Sequence, residues 1–282
     1  MRVGVVGGGL MGSGIAEVCA RAGVDVTVVE VDEDRLERAN AAIDRSLDRA
    51  VRSGKLDAAD REVASERIAY ATDLDAVGGA DVAIEAVVED EGVKRELFRE
   101  LDAILPDAEF LASNTSSVPI MKLGAQTRHP ERVIGLHFFN PVPVLPLVEV
   151  VRSIMTSEET VQKAHDFAEG TLGKTTIDSQ DRAGFVVNAL LIPYILSAIR
   201  MYESGFASKE DIDDGMVNGC AHPMGPLALA DLIGLDTLLA VSASLYEEFR
   251  DPGSVAPALL NRMVEAGLLG RKSGRGFYEY AR

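Results

Sequence analysis

The sequence predicts an α/β domain followed by an all-helical C-terminal domain. Through residue 181, short β-branched runs alternate with amphipathic helical segments, which is the pattern of a mostly parallel sheet wrapped by helices. From residue 182 onward, strands largely disappear and helical periods dominate. The change of pattern predicts two domains, 1–181 and 182–282.

The first domain is predicted to open with a strand, a helix and a second strand. "RVGVVG" and "DVTVVE" are the strands, and the helix between them spans about residues 10–22. Two charged helices, at about 32–53 and 57–67, form a helical pair inserted after the second strand. The elements expected after this pair are, in order, "DVAIEAVV", "EGVKRELFRELDAIL", "EFLASN", "RVIGLHFF", "LPLVEVV", a helix near 158–172 and "KTTID".

The second domain contains the longest apolar stretch of the chain, from Ala183 to Ile199. Asn188, Pro193 and Ser197 interrupt this stretch, and it falls short of a membrane span. We therefore expect a buried helix and no membrane association. The apolar length of this segment and of "LALADLIGLDTLLAV" predicts a homodimer formed through the C-terminal domain.

The composition disfavours some classes of binding partner and indicates the cellular compartment. The 282 residues include 28 Lys and Arg against 45 Asp and Glu, a net charge of -17, which disfavours a nucleic-acid partner. Cys19 and Cys220 form neither a disulfide framework nor a cluster with metal-ligand spacing, so no metal site is predicted. The N-terminus has no apolar signal-peptide region, and we expect a cytoplasmic protein.

A glycine motif opens the first helix. Gly7, Gly9 and Gly12 form a G-x-G-x-x-G frame between a strand and a helix, and Glu30 ends the next strand. This context predicts a Rossmann-type dinucleotide site, with the diphosphate at the helix N-terminus and the acid on the ribose hydroxyls. Because Glu30 would repel a 2′-phosphate, NAD is favoured over NADP, although Arg35 lies only five positions away.

His137 and Glu149 stand in two apolar strands joined by a proline-rich loop. If these strands form a hairpin centred near Pro143, the two side chains face each other across it. A carboxylate beside an imidazole fixes its tautomer and strengthens it as a general base. The alternative is a pair of structural polar residues at strand ends, and the dinucleotide motif favours catalysis.

Two further polar positions stand out. The segment "SNTSS", residues 113–117, follows a strand where α/β sheets place ligand contacts, or else Ser117 caps a helix. Asn188 lies among apolar neighbours, where an amide needs partners, so it either contacts a ligand or links two helices.

The chain resembles the L-3-hydroxyacyl-CoA dehydrogenase family along essentially its whole length, and most closely its bacterial, actinobacterial 3-hydroxybutyryl-CoA branch. The motifs that carry the resemblance are "GVVGGGLMGSGIAEV", "EAVVED", "ASNTSS", "GLHFFNPVPV", "LVEVV", "GFVVNALLIPY", "HPMGPL", "DLIGLDT" and "GRKSGRGFY".

The resemblance implies roles for individual residues. His137 would be the general base with Glu149 as its partner, and Ser116 and Asn188 would contact the substrate oxygen. The cofactor positions are Gly7, Gly9, Leu10, Met11, Gly12, Glu30, Glu89, Lys94, Asn114, Ser116 and Asn140.

The resemblance also implies that the helical pair lies beside the CoA moiety. Ser46 matches a CoA-contact position on its first helix. Ser53 occupies the place of a family basic residue, which leaves Arg52 and Lys55 as the nearby candidates for the CoA phosphates.

The implied activity is that of an oxidoreductase of fatty acid and butanoate metabolism, including β-oxidation, that interconverts (S)-3-hydroxybutyryl-CoA and acetoacetyl-CoA with NAD. Alternatives are a dehydrogenase of an acyl-carrier-protein thioester or of gulonate. The short β-hydroxyacid dehydrogenases use a catalytic lysine that "GFVVNALL" lacks. A non-catalytic, crystallin-like NAD-binding protein would not need the His137 and Glu149 pair.

Overall fold

The computed structural model describes residues 1–280, and the chain divides into two compact units. The first unit is Met1–Asp181, and the second begins at Arg182. Each unit has a separate hydrophobic core, one built on a sheet and one built on helices.

The first unit is built on an eight-stranded sheet with the order β3-β2-β1-β4-β5-β6-β7-β8. Neighbouring strands run parallel except for the antiparallel pair β6 and β7, so the predicted mostly parallel sheet is confirmed. The strands are β1 Arg2–Val6, β2 Asp25–Val29, β3 Ile68–Ala71, β4 Val82–Glu85, β5 Phe110–Ser113, β6 Val133–Phe138, β7 Leu147–Arg152 and β8 Thr175–Gln180.

Helices of this unit cover the sheet, and several begin at an aspartate or serine cap. Asp32 accepts a hydrogen bond from the Arg35 amide, and Asp90 accepts one from the Val93 amide. The α-helices are α1 Leu10–Arg21, α2 Glu33–Arg52, α3 Ala58–Glu66, α4 Glu91–Ile104, α5 Ile120–Gly124 and α6 Glu158–His165, which continues as a π-helix over Asp166–Thr171. The helical pair predicted after the second strand is thus present as α2 and α3.

Two short elements, a strand and a helix, were not predicted from the sequence. Strand β3, "IAYA", lies at the sheet edge and has one buried residue, so its hydrophobic alternation is weak. Helix α5 has five residues and begins after Pro119, without a side-chain cap. Ser117 therefore does not cap a helix, and that alternative is wrong.

The second unit is helical and packs around α7. Its core contains the α7 side chains Ile192, Ile195, Leu196 and Ile199, which confirms the expected buried helix. Its α-helices are α7 Val187–Glu203, α8 Lys209–Cys220, α9 Pro226–Ile233, α10 Leu235–Phe249 and α11 Ala258–Glu265.

Two buried aspartates explain the glycine-containing motifs of this unit. The Asp213 carboxylate accepts hydrogen bonds from the amides of Leu227 and Ala228 at the start of α9, and a Cβ at Gly225 would lie 2.2 Å from the Asp213 Cβ. Asp231 similarly binds backbone amides near the C-terminus, and a Cβ at Gly276 would lie 1.9 Å from its Oδ1. "HPMGPL" and "GRKSGRGFY" therefore have structural roles.

Within residues 1–280, no single helix has the length and apolar character of a membrane span. Helices α9 and α10 together reach that length and hydropathy, but they meet at an angle of 97°.

Candidate active site

The turn between β1 and α1 requires glycine at two of its motif positions. Gly7 has φ +97°, and a Cβ there would lie 2.6 Å from the carbonyl oxygen of Ala86. A Cβ at Gly12 would lie 1.7 Å from the carbonyl oxygen of Gly7, so α1 packs closely on the strand end. Gly9 faces open space instead. The turn thus presents the N-terminus of α1 and leaves room for a ligand to approach the backbone.

Glu30 connects this turn to the beginning of the helical pair. Its Oε1 accepts a hydrogen bond from the Gly8 amide at 2.8 Å, and its Oε2 accepts one from the Val31 amide at 3.1 Å. These two bonds fix the carboxylate at the carboxyl end of β2, where the sequence predicts an acid for the ribose hydroxyls.

A cleft of about 770 Å³ opens beside the glycine turn. Its walls come from the turn, from α1 and α2, and from the loops after β4 and β6. The predicted positions that line it are Gly7, Gly9, Leu10, Glu30, Ser46 and Asn140. The volume and the concave shape suit a nucleotide-sized ligand.

His137 and Glu149 form a buried pair, as their symmetry about Pro143 predicts. They are register partners in the antiparallel β6–β7 ladder, and His137 Nδ1 lies 2.6 Å from Glu149 Oε2. Their exposed fractions are 6% and 0%. Because a carboxylate accepts hydrogen bonds, Nδ1 carries the proton and Nε2 carries the lone pair of the neutral ring. This tautomer is the one that a general base acting through Nε2 requires.

The loop between β6 and β7 is held by a lysine that the sequence did not single out. Lys174 Nζ donates to the carbonyl oxygens of Val142 at 2.6 Å and Leu145 at 2.8 Å. Burial, and then the charge of Arg21, lower the pKa of Lys174. Lys174 follows the π-helix and directly precedes β8, so its proximity to the loop depends on the sheet order.

Lys94 is enclosed between two carboxylates behind the cleft. It is 1% exposed, and its Nζ lies 2.6 Å from Glu85 Oε1 and 3.1 Å from Glu89 Oε2. Glu85 Oε2 also accepts a hydrogen bond from Ser113 at 2.6 Å. The resemblance predicts Glu89 and Lys94 near the cofactor. Glu85 was not predicted, because no local pattern indicates that this carboxylate is buried in β4.

Glu89 orders the loop after β5. Its Oε1 accepts hydrogen bonds from Thr115 Oγ1 and from the backbone amides of Ser116 and Ser117. Burial would raise the pKa of Glu89, but the Lys94 charge and these hydrogen bonds outweigh burial and lower it. The carboxylate therefore stays ionised and holds the "SNTSS" segment in place.

Asn114 links this loop to the strand that carries His137. Its Oδ1 accepts a hydrogen bond from the Phe138 amide at 2.9 Å. Asn114, Ser116 and Glu89 thus form one connected group with the end of β6. Met11 and Gly12 lie in the first turn of α1.

Helix α2 places the residues predicted to contact CoA in different surroundings. Arg52 lies in a groove with α3, where its Nε donates to the Asp48 carbonyl oxygen, and Lys55 lies beyond the end of α2. The cleft is lined by Ser46, by Arg35 and by three further arginines of α2 that no motif predicted. The three are Arg38, Arg45 and Arg49, and with Arg35 their spacing of three, seven and four residues marks one helix face.

Asn188 belongs to the second unit. It is the second residue of α7 and is half-buried. Its predicted contact with the substrate oxygen stays a prediction.

Comparisons with known proteins agree across both units. Residues 2–182 match the family model described as 3-hydroxyacyl-CoA dehydrogenase, NAD binding domain, and residues 184–280 match the C-terminal domain model of the same family. A 3-hydroxybutyryl-CoA dehydrogenase of Mycobacterium tuberculosis is 56% identical over 280 residues, which cover 99% of this chain and 98% of the relative.

Two solved structures show the same fold. FadB2 of M. tuberculosis superimposes with a TM-score of 0.98 at 57% identity, covering 99% of both chains. The (S)-3-hydroxybutyryl-CoA dehydrogenase PaaH1 of Ralstonia eutropha gives a TM-score of 0.93 at 45% identity, covering 100% of this chain and 99% of the other.

Proposed function

The chain belongs to the 3-hydroxyacyl-CoA dehydrogenase family, and we propose that it interconverts (S)-3-hydroxybutyryl-CoA and acetoacetyl-CoA with NAD. The observation that carries the proposal is the 2.6 Å contact between His137 and Glu149 in a fold that also has a complete dinucleotide turn. A structural NAD-binding protein would have no need of a buried imidazole paired with a carboxylate.

The residues at the glycine turn fit NAD. Gly7 and Gly12 shape the turn, Gly9 leaves open space before the α1 N-terminus, and Glu30 offers a fixed carboxylate for the ribose hydroxyls. When bound, NAD supplies the hydride acceptor for alcohol oxidation. Glu89, Asn114 and Asn140 are proposed to complete its surroundings. Lys94 is enclosed by the carboxylates of Glu85 and Glu89, and it is proposed to support the cofactor site by holding Glu89 in place.

In the oxidation direction, His137 is proposed to accept the proton of the substrate hydroxyl at Nε2. The ring becomes an imidazolium, and Glu149 at Nδ1 stabilises the positive charge. In the reverse direction the same imidazolium returns the proton to the carbonyl oxygen. Ser116 and Asn188 are proposed contacts of that oxygen, as the family resemblance implies.

The assembly and location belong to the same proposal. A homodimer through the second unit would cover the exposed apolar side chains that this unit carries. The two free cysteines of the chain, Cys19 and Cys220, favour the reducing cytoplasm.

The proposal is tested by following NADH absorbance, starting from NADH with acetoacetyl-CoA or free acetoacetate and starting from NAD with gulonate, which is an alcohol. We expect NADH to be consumed with acetoacetyl-CoA but not with free acetoacetate, and no NADH to form from gulonate. His137→Ala should bind NADH normally, measured by fluorescence titration, but lose roughly a hundred- to ten-thousand-fold in turnover. Turnover like that of the unmutated protein in this variant, or a preference for gulonate, would contradict the proposal.

A further inference from the structure

The loop between β6 and β7, residues 139–146, forms part of the wall of the cleft. Residues 140–143 line the cleft together with the glycine turn. The same loop touches α1, since a Cβ at Gly14 would lie 2.9 Å from the Val142 Cβ, and Val142 is only 2% exposed. The shape of the cleft beside the N-terminal part of α1 therefore depends on the position of this loop.

Within this loop, main-chain hydrogen bonds converge on one oxygen. The amides of Val144 and Leu145 both donate to the carbonyl oxygen of Pro141, at 2.9 Å and 3.0 Å. Pro141, Pro143 and Pro146 have no amide hydrogen to donate. The bonds to Pro141 close a turn, but they do not attach the loop to its neighbours. Its position therefore depends on contacts from outside the loop.

Two consecutive residues, Lys174 and Thr175, supply such contacts. Lys174 Nζ donates to the carbonyl oxygens of Val142 at 2.6 Å and Leu145 at 2.8 Å. The Thr175 amide donates to the carbonyl oxygen of Pro146 at 2.8 Å. Thr175 begins β8, which pairs with β7, so the attachment originates from the sheet. Three carbonyl oxygens along the loop are thus held, two of them by one ammonium group.

The ammonium group of Lys174 binds main-chain oxygens although a carboxylate lies in its surroundings. Glu17 of α1 acts electrostatically on Lys174 but pairs with Arg21 at 3.2 Å. Lys174 is half-buried, and this burial, and then the charge of Arg21, lower its pKa. In the described chain, 1–280, Lys174 is not among the residues that line the cleft, so it acts on the cleft through the loop.

We propose that Lys174 is a positioning residue for the dinucleotide. By holding the carbonyl oxygens of Val142 and Leu145, it keeps the loop against α1 and maintains the cleft wall that includes Asn140 in the shape that NAD binds. Without the ammonium group, the loop has to be ordered when the cofactor binds, and that ordering weakens binding. This inference rests on the NAD site of the proposed function, but not on the identity of the alcohol substrate.

Fluorescence titration with NADH tests the inference without turnover. For Lys174→Met, which keeps an apolar side chain of similar length, we expect the Kd for NADH to rise roughly five- to twentyfold, because the loop is no longer ordered in advance. Lys174→Arg keeps a charged donor group and should stay within about threefold of the unmutated protein. If circular dichroism shows that Lys174→Met does not fold, Lys174→Gln, whose side chain is uncharged and shorter, takes its place with the same expectation.

Lys163→Met is the matched control, because it removes a lysine of α6 that pairs with Glu159 at 2.8 Å. It should leave the Kd for NADH unchanged. Steady-state kinetics with acetoacetyl-CoA add a second readout. In Lys174→Met, KM for NADH should rise with the Kd, while kcat at saturating NADH changes by less than about twofold, because the β6–β7 ladder holds His137 and Glu149.

An unchanged Kd for NADH in Lys174→Met would overturn the inference, and so would an equal rise in Lys163→Met or in Lys174→Arg. A fall in kcat with an unchanged Kd would assign Lys174 to the proton-transfer site and overturn it as well. A failure of the proposed function has a different signature. The unmutated protein would then bind NADH without reducing acetoacetyl-CoA, and the titrations would still decide the role of Lys174.

Discussion

Glu149 is a fully buried carboxylate, and its chemistry depends on the histidine beside it. A buried carboxylate has lost its hydration and is costly unless it is paired. The register of β6 and β7 sets its Oε2 2.6 Å from His137 Nδ1, so the sheet itself fixes the pair. Removing the charge of Glu149 while keeping its shape should therefore affect proton transfer at the His137 ring more than it affects the fold.

We expect Glu149→Gln to lower kcat/KM for (S)-3-hydroxybutyryl-CoA oxidation. The imidazolium that forms when the substrate proton is transferred loses its counter-charge in this variant, so the transition state is less stabilised. Steady-state kinetics at neutral pH provide the measurement. Glu131→Gln is the matched control, because Glu131 forms an exposed pair with His129. A kcat/KM equal to that of the unmutated protein in Glu149→Gln would refute the role of the carboxylate.

Glu30 is expected to set the preference for NAD over NADP. Glu30→Ala should lower the ratio of the specificity constants for NAD and NADP by roughly tenfold, because the repulsion of a 2′-phosphate disappears. Glu30→Gln can keep a hydrogen bond from the Gly8 amide and isolates the charge effect. Steady-state kinetics with both cofactors provide the test. Equal specificity constants in the unmutated protein would contradict the expectation.

Helix α4 holds the loop after β5 through Lys94 and Glu89. Lys94 projects from α4 to Glu89, and Glu89 in turn binds the amides of Ser116 and Ser117. The folded-state pKa of Glu89 lies below its ordinary value of 4.5. Its contribution to stability is therefore present above that value and is lost as the pH falls through the folded-state pKa.

Glu89→Gln should reduce the free energy of unfolding at neutral pH, and its difference from the unmutated protein should narrow as the pH falls below 4.5. Urea denaturation at several pH values measures this difference. Glu100→Gln, at an exposed position of α4, should differ little from the unmutated protein at any pH. A Glu89→Gln difference that stays constant with pH would show that the charge of Glu89 is not what stabilises the loop.

The second unit keeps large apolar side chains exposed to solvent. Leu190 is 74% exposed and Phe206 is 79% exposed, although the apolar faces of α7 and α10 fill the core of the unit. Burial of such side chains against a second copy would be favourable. The core of the unit thus explains part of the length of the apolar segments. The expectation of a dimer rests on the apolar side chains that stay exposed, such as Leu190 and Phe206.

Light scattering at micromolar concentration should give twice the chain mass of 30.1 kDa. The mass should remain unchanged on dilution through the enzyme-assay range if the exposed apolar surface is covered. A particle of a single chain mass would remove the support for the homodimer.

Several features could be predicted from the sequence because their causes are local. A tight turn and a close approach between helix and strand require glycine, so Gly7 and Gly12 indicate the site without knowledge of the rest of the fold. His137 and Glu149 could be paired because an antiparallel ladder places residues symmetric about its centre opposite each other. The helical pair followed from periodicity alone.

Other features depended on tertiary packing. Glu85 meets Ser113 because β4 and β5 are neighbours in the sheet, and Lys174 reaches the proline-rich loop because β8 lies beside β7. The spacing of Arg38, Arg45 and Arg49 puts them on one face of α2, but only the packing shows that this face lines the cleft while Arg52 lies in a groove with α3. The physical reason is that turns and periodicity act over a few residues, whereas the surroundings of a side chain are set by elements distant in sequence.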